Sequence, residues 1–100
     1  MVTQKEGIEL FYLMKEKGKK ANKIPELDSD EMLLKLGKRI KSLRLQKGYK
    51  SYETFAYEKG ISRAQFGRYE NGQDIRFSSL IRVLNALEIS LEEFFSDGFK

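Results

Sequence analysis

Four times between Asp28 and Gly98 a helix-starting side chain is answered by a helix-ending glycine: Asp28 and Gly48, Ser51 and Gly60, Ser62 and Gly72, Ser90 and Gly98. A serine or aspartate oxygen at the start of a helix accepts a bond from a free N–H in the first turn. A glycine just past the end adopts the left-handed turn that closes one. Three of the starts, Asp28, Ser62 and Ser90, also carry Glu31, Gln65 and Glu93 at capping-box spacing. Punctuation this dense restricts the chain to short helices. Leu33, Leu36, Ile40 and Leu43 supply an apolar stripe for the first, and Phe77, Leu80, Ile81, Leu84 and Leu87 one for the fourth. No stretch alternates as a strand does, and no segment repeats. The expectation is an all-α fold of five short helices in residues 32–98.

Residues 1–31 read as an arm and linker. Ile8, Phe11 and Tyr12, with Leu10, Leu13 and Met14, fit one face of a short helix, and the polar run from Lys15 to Glu26 contains the only proline, Pro25. This segment holds six lysines and seven acidic residues, a net charge of −1; residues 32–100 therefore carry +5 of the total +4. A positive field over a compact domain favours polyanionic partners. The chain has no cysteine and no histidine. The commonest general base, the commonest transition-metal ligand and any thiolate site are thereby removed. The carboxylates Asp28, Asp30, Glu92 and Glu93 read as caps and surface, and no glycine-rich phosphate loop occurs. The expectation is a non-enzyme without metal or cofactor. No apolar run is long enough for a membrane span and no secretory leader is evident, so a cytoplasmic location is expected.

The stretch ISRAQFGRYENG, Ile61–Gly72, carries two arginines, two amides and two aromatics in one short helix. Ala56 permits close approach of the helix before it, and Gly60 supplies the positive φ of a very short turn. Phe66 and Tyr69, three apart, hold the second helix to the core. Arg63, Ala64, Gln65, Gly67 and Arg68 are then expected to face outward. This is helix-turn-helix grammar, in which the second helix enters the major groove of a duplex.

Taken in order, Gly37-Lys-Arg-Ile-Lys-Ser-Leu-Arg44, Phe55-Ala56, Gly60-Ile-Ser-Arg63, Arg68-Tyr-Glu-Asn-Gly72 and Leu80-Ile-Arg-Val-Leu84 with Leu87, Leu91 and Phe94 resemble the Cro/repressor-type (XRE) helix-turn-helix family. The likeness covers Leu36 to about Phe95. It implies a five-helix lambda-repressor-like domain, here preceded by a helical or extended arm. Arg63, Ala64, Gln65 and Arg68 match the family's base-facing positions. Arginine can bond guanine O6 and N7 bidentately and glutamine can do the same to adenine, while Ala64 offers a touch to a thymine methyl. For Gln65 a return to the Ser62 backbone as capping-box partner is the competing role. Lys50, Ser51, Tyr52, Ser62, Asn71, Gln73 and Arg76 are expected at DNA phosphates, the two serines at helix starts that also favour anions. The resemblance further implies an internal ion pair between Arg44 and Glu70.

Three positions depart from the family pattern. Tyr52 stands where a glutamine is usual. Lys59 replaces a buried leucine or valine, with Tyr57 expected to fill some of the gap. Gly67 interrupts a helix at a cost of about 0.5–1 kcal/mol against alanine. The leading expectation is a sequence-specific double-stranded DNA-binding regulator, a repressor, acting as a homodimer. The alternative is a protein-interaction module, antitoxin-like or bridging, with the N-terminal arm docking a protein partner.

Overall fold

The protein is described by a computed structural model over residues 24–100. Five helices follow one another: α1 Ser29–Gln46, α2 Tyr52–Glu58, α3 Arg63–Glu70, α4 Phe77–Leu87 and α5 Leu91–Phe95, with no strand among the described residues. The all-α, five-helix expectation holds. The helix expected around Ile8, Phe11 and Tyr12 lies outside the described residues.

The starts are made by the side chains that the punctuation singles out. Asp28 accepts from Glu31 N at 3.1 Å, Ser51 from Thr54 N at 3.1 Å, Ser62 from Gln65 N at 3.3 Å and Ser90 from Glu93 N at 3.0 Å. Because Asp28 is the cap, α1 begins at Ser29, inside the segment read as linker. At the other end, Arg39 Nε donates to Phe94 O at 2.9 Å and Lys35 Nζ donates to Lys100 O at 3.1 Å. Phe99, half-buried, packs on the core, so the last residues belong to the domain as well. One helix end dispenses with glycine: Glu88, which closes α4, adopts φ 59°, and Lys47 Nζ meets its carboxylate at 2.8 Å.

Ile40, Phe55, Ala56, Phe66 and Phe94 are fully enclosed at the centre. Phe55 and Phe66 join α2 to α3 with ring centroids 5.2 Å apart, and Tyr49 meets Phe55 edge-on at 5.0 Å. Helices α1 and α3 touch backbone to backbone at Gly37, where a Cβ would lie 2.6 Å from both Tyr69 O and Glu70 O. Only the bare glycine fits.

Two apolar expectations need correction. Phe77 is 63% exposed because the first residue of α4 projects past the core; Ile75, just before it, packs there instead. Tyr57 is 74% exposed and fills no gap beside Lys59, whose ammonium reaches outward over the Tyr49 ring at 6.0 Å.

Candidate nucleic-acid interface

Helices α2 and α3 are joined by four residues, Lys59 to Ser62. Gly60 takes φ 72°, and Ile61 N then bonds Ala56 O at 2.8 Å while its side chain drops into the core. That turn fixes the crossing of the two helices, and the crossing decides which side of α3 meets solvent.

On the inner side, Phe66 and Tyr69 are buried, and Glu70 receives Arg44. Arg44 Nε donates to Glu70 Oε2 at 2.7 Å and Nη2 to Oε1 at 2.9 Å, a two-pronged pair. Its Nη1 donates to the carbonyls of Tyr49 and Lys50 at 2.7 and 2.9 Å. The side chains of Arg44 and Glu70 are only 3% and 7% exposed. The pair therefore ties α1 to α3 and also pins the loop that leads into α2. No buried side-chain nitrogen or oxygen among the described residues is left without a partner.

On the outer side, Arg63, Ala64, Gln65 and Arg68 are all exposed. Arg68 has no ion pair among the described residues, and the Arg63 guanidinium lies 6.0 Å over the exposed Tyr57 ring. Gln65 departs only from its competing role, that of return capping partner. Its Oε1 accepts the Tyr69 hydroxyl at 2.6 Å, one helical turn on, rather than serving a return capping bond to Ser62.

Gly67 also differs, and its reason joins two departures into one. It was expected outward, but it is buried beneath the Tyr52 ring: a Cβ at Gly67 would lie 2.8 Å from Tyr52 Cε1 and 3.1 Å from Cζ. A larger residue on α2 is matched by the smallest on α3.

The residues expected at phosphates lie at or near the surface. Lys50, Tyr52, Ser62, Asn71, Gln73 and Arg76 are exposed and Ser51 is half-buried, its hydroxyl engaged as a cap. Beside Tyr52 and Asn71, a groove of about 440 Å³ is bordered by Lys38 and Lys41, with Arg44 and Glu70 among its lining. These two lysines were missed in the sequence reading. Their signal is the three-residue step to Arg44: once Arg44 points toward α3, Lys41 and Lys38 continue its row along α1.

The helix-turn-helix family model matches residues 40–94. The chain belongs to that family. Among solved structures it resembles the restriction-modification controller protein C.AhdI from Aeromonas hydrophila, with 33% identity and a TM-score of 0.59 over 65% of this chain and 98% of that one. No curated protein matches. Family and neighbour agree on an XRE-type DNA-binding transcriptional regulator. No helix of this regulator, among the described residues, is long and apolar enough to cross a membrane.

Proposed function

We propose that the regulator binds one particular double-stranded DNA sequence as a homodimer and represses transcription there, in the cytoplasm. One observation carries the reading: α3 has every inner polar group satisfied, while Arg63 and Arg68 stand outward with no carboxylate neutralising them among the described residues. Arg63, Ala64, Gln65 and Arg68 read base edges in this account. Lys38, Lys41, Lys50, Ser51, Tyr52, Ser62, Asn71, Gln73 and Arg76 hold the sugar–phosphate chain. Phosphate contacts set register and base contacts set sequence. One such helix reads only a few base pairs, so two copies about 34 Å apart on an inverted repeat supply the specificity. The neighbour is a restriction-modification controller; by analogy, the genes regulated here are those of such a system.

Selection of binding sites from a random DNA pool tests this directly, and an inverted repeat is expected. If each protomer neutralises about three or four phosphates, log K falls with log salt at a slope of about −5 to −7 for the dimer. A slope near zero, or a pool that yields no preferred sequence, removes the proposal.

A further inference from the structure

A helix lying in a major groove has a phosphate chain on each side of it, because the groove is about 12 Å wide and walled by both strands. The residues assigned to phosphates so far cluster on the α1–α2 side of α3 and on the loop after it. The opposite, α4 side also carries a cleft, of about 260 Å³, which of those residues only Ser62 lines. Ser62, Gln65 and Tyr69 line it from α3, and Ser79 and Arg82 from α4.

The chemistry of this cleft is one-sided. It offers a guanidinium, a carboxamide and three hydroxyls, and no carboxylate lines it. Arg82 is exposed and makes no ion pair among the described residues. The Tyr69 hydroxyl, held in place by a ring only 8% exposed, spends its proton on Gln65 Oε1 at 2.6 Å. That bond occupies one acceptor site of the amide and leaves both Nε2 protons to be given away. Gln65 is thus presented chiefly as a donor, beside a free cation.

We infer that the cleft between α3 and α4 receives a backbone phosphate of the second DNA strand, with Arg82 as its cation and Gln65 as a phosphate donor rather than a base reader. Tyr69 is the positioning residue that turns the carboxamide. The inference rests on the DNA-binding proposal above and deepens it. It moves Gln65 from sequence reading to strand holding, and it adds Arg82, a residue on a helix outside the turn motif.

The test uses the full chain and the duplex recovered from the random pool, alongside a scrambled duplex of equal length. Arg82→Ala is expected to weaken both duplexes by the same factor and to make the salt slope shallower by about 1 per protomer. Arg82→Lys should restore most of the slope. Gln65→Ala should likewise lower affinity for both duplexes while leaving the preferred bases at every position unchanged. Arg82 and Gln65 are exposed, so both variants are expected to fold, which circular dichroism verifies. Arg68→Ala provides the contrast, since loss of a base reader flattens the preference at one position. A Gln65→Ala protein with altered base preference overturns the assignment, as does an Arg82→Ala protein with an unchanged salt slope. If the unaltered protein itself shows no salt-dependent binding, the DNA proposal falls first and takes this one with it.

Discussion

The two faces of α3 are built on opposite rules. Toward the core, each group is answered: Arg44 makes four hydrogen bonds, two of them to Glu70, and Gly37 lets the α1 backbone sit against the carbonyls of Tyr69 and Glu70. Toward solvent, two arginines and an alanine are left without a structural task beyond the loose stack of Arg63 on Tyr57. Eight residues cannot keep a helix rigid by themselves. The inner face supplies that rigidity, and it is what allows the outer face to be held ready in one orientation.

The inner pair should be the most sensitive place. Arg44→Ala leaves a carboxylate enclosed without its partner and strips two backbone carbonyls of their donor. A loss of about 3–5 kcal/mol in chemical denaturation is expected. Replacing both partners together, Arg44→Met with Glu70→Leu, should cost far less, because no enclosed charge remains. If the single variant loses less than about 1 kcal/mol, the inner face is not what anchors the helix.

Next in size is the flank where the faces meet. Gly67→Ala drives a methyl against the far end of the Tyr52 ring, which must swing outward, and should cost about 1 kcal/mol. In a Tyr52→Ala background the same substitution is relieved of its three closest contacts and should gain about 0.5–1 kcal/mol from helix propensity. The sign reversal across this double-mutant cycle is the measurement. Additive effects would show that Tyr52 and Gly67 do not share one site.

The outer face should respond the other way round. Arg68→Ala is expected to leave stability within about 0.5 kcal/mol of the parent. It should nonetheless remove about 1–3 kcal/mol of discrimination at one base pair, read from competition between the selected duplex and single-base variants. A helix whose outer arginine proves vital to folding would erase the contrast between the faces.

What could be read in advance follows from how far each interaction reaches along the chain. The four caps and the glycine stops are decided within three or four residues, so Asp28, Ser51, Ser62 and Ser90 announce themselves. The Arg44–Glu70 tie spans 26 residues and was legible only through family likeness. Arg39, which clasps Phe94 O from 55 residues away, carried no such signal. Tyr52 and Gly67 each looked like a separate departure, because their complementarity exists only once two helices cross. Phe77 misled for a simpler reason: helical periodicity identifies a stripe but not how far the core extends along it.

The smallest effect concerns a second ion pair, which sharpens the contrast with the enclosed one. Lys47 and Glu88 meet at 2.8 Å on the surface, and the bond from Lys47 with its charge holds the Glu88 carboxyl below its ordinary value of 4.5. A group lowered on folding stabilises the fold above its unfolded value and loses that contribution as pH falls through the folded one. Stability should therefore drop between pH 5 and 3 by slightly more in the parent than in Glu88→Gln, and molar salt should abolish the difference. The Arg44–Glu70 tie, walled off from solvent, should hold through the same salt titration. Equal salt sensitivity of the two pairs would mean that water reaches the inner side of α3, and a helix wetted on both sides would lack the fixed aim that reading a groove requires.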